Sequence, residues 1–241
     1  MDIVIKKDVD FRGSVLITGF RGFGMVGYMV SKHIAFILEA TKIGYIITDN
    51  LPPVVLVEED GVGYPFEIYH SEKANVTIIV NRAIPEREDM SMYTRGIASW
   101  AREKKFKFAV LVGGLNRDFM PENEAFRYRW IANDYYEGPR LDAPVMEVGL
   151  GVMGPLAMLY MYLDYYRVPS IMILPYSVVE EVDYDASIRG IQVISEKLLG
   201  IKPDTSLLEE MALRQKEEVR RIMQMLSEEG KRESEEKGMY M

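Results

Sequence analysis

Apolar segments of two kinds alternate along the first 200 residues of this chain. Runs rich in β-branched residues, such as Val76–Val80, have the pattern of buried strands, whereas Met25–Leu38 keeps its apolar residues at helical spacing. Alternating strands and helices favour a parallel sheet covered by helices, because each parallel connection has to cross back over the sheet. Asp60-Gly61 also predicts an antiparallel hairpin near residues 54–70. We therefore predict a single α/β domain with a largely parallel central sheet flanked by helices.

The remaining predicted elements follow the same alternation. Further strands are predicted at Val15–Ile17, Ile43–Thr48, Phe108–Val112, Pro144–Val148 and Ser170–Leu174. Further helices are predicted at Met90–Lys105, Pro155–Tyr166 and Tyr184–Leu199. Residues 115–143 mix charged, aromatic and turn-forming residues, so their structure stays open. We expect a core domain over residues 1–200, a helical extension over 201–237 and a flexible tail over 238–241.

The composition argues against several kinds of function. The chain has no cysteine and two histidines, His33 and His70, which excludes a disulfide scaffold, a cysteine nucleophile and a zinc finger. Its net charge of −8 is unfavourable for binding nucleic acid or an anionic membrane, so neither partner is expected. No segment has the pattern of a signal peptide or a membrane span, and we expect a cytoplasmic protein. Few Gln and Asn beside many Glu and Arg are typical of a thermophile.

Two glycine motifs have the spacing of a dinucleotide-binding fingerprint. Gly22–Gly27 follows a predicted strand and opens a helix, and Asp49 lies where an acid would bind a ribose hydroxyl. Gly149–Gly154 repeats the pattern after another predicted strand. Both loops carry large apolar residues where a phosphate loop favours small or polar ones. We therefore predict tight strand–helix packing and no cofactor, and keep nucleotide or small-molecule binding as an alternative.

Other candidate sites give weak signals. His33 lies on an apolar helix without an acid at metal-ligand spacing, which favours a buried, hydrogen-bonded histidine. His70 neighbours Ser71, but neither lies in a nucleophile elbow. Glu58-Glu59-Asp60 and Glu180-Glu181 could hold a cation, although adjacent acids at turns are usually solvated. We predict no catalytic residue and no metal site.

The stretch from residue 126 to residue 136 is rich in tyrosine and tryptophan. Arg127, Arg129 and Arg140 lie within it or close to it. Aromatic residues interleaved with arginine can stack on bases, but the acidic balance of the chain disfavours nucleic acid. Because Tyr, Trp and Arg are common at binding hot spots, we predict a protein interface here.

After Gly200 the chain becomes helical and loses its strand signals. Asp204-Thr205 is a good N-cap, and a 4-3-4-3-4 spacing of mostly apolar residues then continues without an internal proline. The residues predicted to associate copies of the chain are Leu208, Met211, Ala212, Val219, Ile222 and Leu226. We predict a homo-oligomer joined through this stripe. The alternative is that the helix packs on its own domain.

The sequence finishes with Met239-Tyr240-Met241, which follows a charged run. An apolar residue and a tyrosine in this position have little of their own domain to bury against. Such a tail can instead enter a pocket of a partner protein, where its carboxylate can pair with a lysine. We predict that Met239, Tyr240 and Met241 bind a partner.

Several motifs together resemble one known family. They are Leu16–Gly27, Leu111–Gly114, Gly149–Pro155, Val168–Leu174 and Asp183–Ser187. In order and spacing, over roughly residues 10–215, they are similar to the archaeal branch of the proteasome assembly chaperone family. The resemblance implies a fold like that of nucleoside phosphorylases without their active site, and no catalytic residues.

The same resemblance implies a partner and a mode of binding. Members of the family bind the proteasome α-ring through a C-terminal tail of the form hydrophobic–Tyr–any residue. Met239, Tyr240 and Met241 match that form and would enter pockets between α-subunits of the proteasome core particle. The protein would then be an assembly chaperone or an ATP-independent activator. An oligomeric scaffold for another archaeal protein remains a further alternative.

Overall fold

The computed structural model describes residues 1–58 and 61–221. The chain divides into a compact unit over Met1–Asp204 and a second unit that begins at Thr205. The strands are β1 Asp2–Ile5, β2 Val15–Gly19, β3 Thr41–Ile47, β4 Leu56–Glu58, β5 Gly61–Gly63, β6 Phe66–Ser71, β7 Val76–Asn81, β8 Phe108–Val112, β9 Leu115–Asn116, β10 Tyr128–Ala132 and β11 Ser170–Ser177. The helices are α1 Val26–Ile37, α2 Met90–Glu103, α3 Pro155–Tyr165 and α4 Tyr184–Gln192, followed by a π-helical segment Val193–Leu199.

Most strands join one sheet with a parallel centre. Its order is β1-β3-β6-β7-β2-β8-β11-β10, and β9 adds beside the end of β11. The ladders among β7, β2, β8 and β11 are parallel, whereas the ladders towards β1 and the β10–β11 ladder are antiparallel. The predicted α/β class with a mostly parallel sheet and flanking helices is confirmed.

The parallel strands are buried along their whole length. β2, β7, β8 and β11 have no exposed residue, which explains why the sequence shows continuous apolar runs there. Helices α1 and α4 contact each other, as do α2 and α3. Leu111 belongs to the core cluster that includes α2 and α3, while its neighbour Val112 faces Gly190 of α4. The two helix pairs therefore cover opposite faces of the sheet.

One predicted strand is wrong, and the predicted hairpin is present but shorter than expected. The strand expected at Pro144–Val148 is reduced to a single bridge between Val145 and Trp130. The hairpin near residues 54–70 is shorter than expected, because β4 pairs only with β5 while β6 joins the main sheet between β3 and β7. Residues 115–143, left open by the sequence, contain β9 and β10.

Candidate interaction surfaces

The first glycine loop lies at the carboxyl ends of the central parallel strands. A Cβ atom on Gly19 would lie 2.5 Å from Gly27 Cα and 2.6 Å from the carbonyl oxygen of Val112. Only glycine allows helix α1 to approach the ends of β2 and β8 so closely. The geometry of this loop therefore supports the predicted packing role.

The space beside this loop is filled by the chain itself. Gly24 has a φ of +59°, and a Cβ atom there would overlap the side chain of Ser177. The backbone amide of Asp183 donates to the Gly24 carbonyl at 3.0 Å. The Asp183 carboxylate accepts from the Ala186 amide at 2.9 Å and from Arg117 Nη2 at 3.0 Å. These contacts fill the space beside Gly24, which disfavours nucleotide binding at that glycine.

The second glycine loop differs from the first, and the packing expected of it is wrong. Added Cβ atoms on Gly149, Gly151 and Gly154 would meet no atom within 4 Å. Gly149 and Gly154 instead have positive φ values of +97° and +76°, a backbone conformation that glycine adopts more easily than other residues. Val148 and Met153 are strongly exposed beside them. The loop is therefore an open surface segment that leads into α3.

Both histidines are buried and hydrogen-bonded, as expected of core residues. His33 Nε2 lies 3.0 Å from the Asp204 carbonyl oxygen. His70 Nδ1 lies 2.9 Å from Thr77 Oγ1, and burial lowers the pKa of His70. The Ser71 hydroxyl donates to the Leu38 carbonyl at 2.8 Å, so it forms no nucleophile pair with His70.

The candidate acidic clusters do not form a metal site in the described part of the chain. Across residues 1–58 and 61–221, no group of three His, Asp or Glu side chains could hold a metal ion. Glu180 and Glu181 are exposed, in line with solvated acids. Glu59 and Asp60 lie outside the described residues.

A buried charged cluster lies beneath the β4–β5 hairpin, and the sequence reasoning missed it. Glu67 has no exposed surface and forms an ion pair with the buried Arg82. Lys42 Nζ bonds both Glu67 Oε1 and the Val62 carbonyl at 2.9 Å, and the Tyr64 amide donates to Glu67 at 3.1 Å. The cluster thus fixes the end of the hairpin to the sheet. A glutamate inside the apolar run of β6 was the available signal.

The hairpin itself carries apolar side chains that nothing in the described chain covers. Val57 is 89% exposed and pairs with Val62, which is 48% exposed. Val55 and Leu56 are exposed as well. A two-stranded ribbon is only marginally stable alone, and an exposed apolar patch is typical of surfaces that bind a partner.

The aromatic stretch forms β10 at one side of the sheet. Within it, Arg129 is buried and bonds Glu124 and Glu147, each at 2.6 Å. The pKa of Glu124 is lowered by a hydrogen bond from the Phe126 amide and by Arg129. Of the three arginines noted in the sequence, only Arg127 and Arg140 are exposed. Arg129 is therefore a structural residue and is withdrawn from the predicted interface.

A cleft of about 800 Å³ opens beside β10. Trp130, Tyr136, Tyr160 and Val145 line it together with charged residues of both signs, Asp134, Glu137 and Arg140. The cleft thus combines aromatic and charged groups, as protein-binding surfaces do. The protein interface predicted for this stretch stays a prediction.

The helical extension begins where the sequence places its N-cap. A helix, α5, begins at residue 206 and is described as far as residue 221. Thr205 precedes it, and its hydroxyl bonds Glu209 at 2.6 Å. Four residues of the predicted stripe lie on α5: Leu208, Met211, Ala212 and Val219. Ile222, Leu226 and the predicted tail residues Met239, Tyr240 and Met241 lie outside the described residues.

No helix within residues 1–58 and 61–221 is both long enough and apolar enough to span a membrane. The fold defines a class of protein: a layered α/β core with a buried, largely parallel sheet, exposed apolar surface segments and a helical segment that begins at residue 206. The sequence model of the PAC2 family matches residues 16–223, and the chain belongs to this family.

Solved structures with the same fold include two proteins of Pyrococcus furiosus. PbaA, described as an archaeal homolog of proteasome-assembly chaperone, has a TM-score of 0.79 at 19% identity over 100% of this chain and 99% of its own. PbaB, described as an archaeal proteasome activator, has a TM-score of 0.75 at 19% identity over 92% of this chain and 98% of its own.

A third structure with this fold comes from Mycobacterium tuberculosis. That proteasome-assembly chaperone homologue has a TM-score of 0.63 at 14% identity, over 86% of this chain and 94% of its own. The chain matches no curated protein sequence. At these identities the structural likeness establishes the shared fold.

Proposed function

We propose that this chain is a non-enzymatic proteasome-binding protein, acting as an assembly chaperone or an ATP-independent activator. The observation that carries the proposal is membership of the PAC2 family together with a fold that matches PbaA along the whole chain. The filled glycine loop adds support, because it disfavours the nucleotide-binding alternative at that position.

The proposed contact is made by the tail. Met239 supplies apolar area, Tyr240 an aromatic ring with a hydroxyl group, and the α-carboxylate of Met241 a partner for a lysine in a pocket of the α-ring. This chemistry requires Met241 to be the last residue of the protein, which the intact mass of the purified protein checks. Three residues alone should bind weakly.

Self-association would make this weak contact effective. Several tails on one oligomer raise the apparent affinity by ~10²–10⁴ where their spacing matches the pockets. Leu208 and Ala212 are buried in the single chain, whereas Met211 and Val219 are exposed. We propose that Met211 and Val219, continued by Ile222 and Leu226, join the copies. Light scattering on the full chain tests it with Ile222→Glu and Leu226→Glu together, and with Ser227→Glu as the control. An unchanged mass for the double variant would contradict the proposal.

The tail is tested by pulldown of the proteasome core particle. The full chain should retain the core particle, and a chain lacking Met239–Met241 should not. Tyr240→Phe should keep most binding and Tyr240→Ala should lose most of it, because the ring supplies the buried area. Equal capture by the full and shortened chains would reject tail docking.

The second glycine loop is open, so nucleotide or small-molecule binding there remains the alternative function to test. A nucleotide that binds the Gly149–Gly154 loop should stabilise the folded chain in a thermal-shift assay. A large ATP- or NAD-dependent rise in unfolding temperature would favour the small-molecule alternative. The proposed function predicts no rise.

A further inference from the structure

The outward side of helix α3 is apolar along almost its whole length. Met161 is 60% exposed and Tyr165, one helical turn further on, is 70% exposed. Ala157, one turn before Met161, is partly exposed, and Met153, just before the helix, is 82% exposed. These four residues form the α3 ridge. Asp164 is the one charged residue in the sequence of α3.

An apolar outward side distinguishes α3 from the helix beside it. Helix α2 contacts α3 and exposes polar residues on its outward side, namely Ser91, Arg95 and Arg102. Polar residues outward are the normal pattern for a helix at a protein surface. Helix α3 also buries Leu159 and Leu163 on its inward side, so it is apolar on both sides. That pattern is typical of a helix that is covered on both sides.

Neighbouring side chains hold the ridge in a fixed position. The hydroxyls of Tyr162 and Ser91 lie 2.7 Å apart, and Arg95 donates to the Tyr166 hydroxyl at 3.1 Å, so one flank of α3 is bonded to α2. The ring of Tyr165 contacts the ring of Tyr166 edge-on, with centroids 5.0 Å apart. The ridge is therefore ordered before a partner binds, which lowers the entropy cost of the contact.

The apolar area of the ridge matches what a contact between two copies needs. The ridge exposes on the order of 400 Å² of side chain, a patch size that is often functional on a monomer. A standard interface takes about 800 Å² from each partner, of which roughly 56–65% is apolar. The ridge alone therefore supplies most of the apolar area of such an interface.

The position of Asp164 determines how two ridges can pack. Among the described residues, no cation forms an ion pair with it. In a parallel pair of α3 helices, the two Asp164 carboxylates would face and repel each other. In an antiparallel pair, each carboxylate lies towards the positive start of the partner helix, where Gly154 supplies no side-chain cap. The charge therefore favours antiparallel packing.

We propose that two copies of the chain pack α3 against α3, antiparallel, around a two-fold axis at Met161. Residues at equal distances from the axis then face each other, so Tyr165 of each copy covers the small Ala157 of the other. The functional value of this pair rests on the proposed function, because two copies carry twice the number of tails. The contact itself involves neither α5 nor the tail.

Disulfide formation in the full chain tests this arrangement. The chain has no cysteine, so each substitution introduces a single thiol. Met161→Cys should link to itself under mild oxidation, because both copies place it at the axis. Ala157→Cys and Tyr165→Cys should link to each other when mixed. Neither should link to itself, because eight residues of helix, about 12 Å, exceed the span of a disulfide.

The control is Phe36→Cys, at a position of α1 that is 71% exposed, which measures random collision. Linking of Met161→Cys no faster than this control would overturn the proposal. Self-linking of Ala157→Cys and Tyr165→Cys would show parallel packing and overturn it as well. The Met161→Cys link should persist beside Ile222→Glu and Leu226→Glu, so a failure of the α5 contact is read separately.

The mass in solution gives a second readout. Met161→Glu with Tyr165→Glu places charges inside the contact and should lower the mass of the full chain by light scattering. Phe36→Glu with Phe119→Glu replaces two exposed apolar residues elsewhere and should leave the mass unchanged. Circular dichroism checks that both variants remain folded. An unchanged mass for the α3 variant, or a monomeric wild type, would contradict the pairing of α3.

Discussion

The carboxylate of Glu67 and the guanidinium of Arg82 form an ion pair under the β4–β5 hairpin, with Glu67 completely shielded from solvent. Taking two charges out of water is costly, and this pair is balanced by further bonds from Lys42 and Tyr69 to the carboxylate. The pair holds the hairpin against the sheet, and it has a direct consequence for stability.

Removing Arg82 should leave the buried Glu67 carboxylate with the partly exposed Lys42 as its remaining cation. We expect Arg82→Met to lower the free energy of unfolding by about 3–5 kcal/mol in urea titrations. The control is Arg87→Met, at an exposed position, which should change it by less than about 0.5 kcal/mol. Similar small effects in both variants would show that the pair is not a structural anchor.

The two glycine loops predict opposite responses to the same substitution. Gly19→Ala places a methyl group against Gly27 and Val112 and should destabilise the chain by about 3 kcal/mol. Gly151→Ala, in open space, should be neutral or stabilising by about 0.5 kcal/mol. Denaturant midpoints of the two variants measure the difference. Equal midpoints would contradict the packing role of the first loop.

Asp183 should contribute to stability through the start of α4. Asp183→Ala removes the bond from the Ala186 amide and the pair with Arg117, with an expected loss of about 2 kcal/mol. Asp118→Ala, at an exposed acid, is the control and should change stability little. Thermal unfolding of both variants gives the comparison, and matching unfolding temperatures would refute the capping role.

His70 predicts a pH dependence of folding. Burial lowers the pKa of His70 below 6.5, and the Glu72 carboxylate raises it by less. The unfolded chain then binds more protons below pH 6.5, so stability should fall as the pH drops from 6.5 towards the folded pKa. Unfolding free energies of the wild type and His70→Gln at pH 7.5 and pH 5.5 test this. An equal pH dependence in both proteins would exclude His70 as the source.

The parallel centre of the sheet was predictable because its strands are buried on both faces. Such strands appear in the sequence as continuous apolar runs, as at Val76–Val80 and Phe108–Val112. Strand β10 was not predictable in the same way. Its Arg129 looks solvent-exposed in the sequence and is buried only because Glu124 and Glu147 reach it.

The local sequence pattern also could not decide which segments pair or pack with each other in the fold. The apolar run at Val145 resembles a strand, but only one bridge to Trp130 forms and Val148 is fully exposed. The two glycine motifs have the same spacing and differ in what surrounds them. The ends of β2 and β8 crowd Gly19 and Gly27, and no such neighbour exists within 4 Å of Gly151.

Binding to the proteasome is tested most directly by the affinity of the full chain for the isolated core particle, measured by biolayer interferometry with and without Met239–Met241. We expect the full chain to bind and the shortened chain to lose at least about tenfold in affinity, given several linked tails. The same affinity for both chains, or no binding by the full chain, would contradict the account.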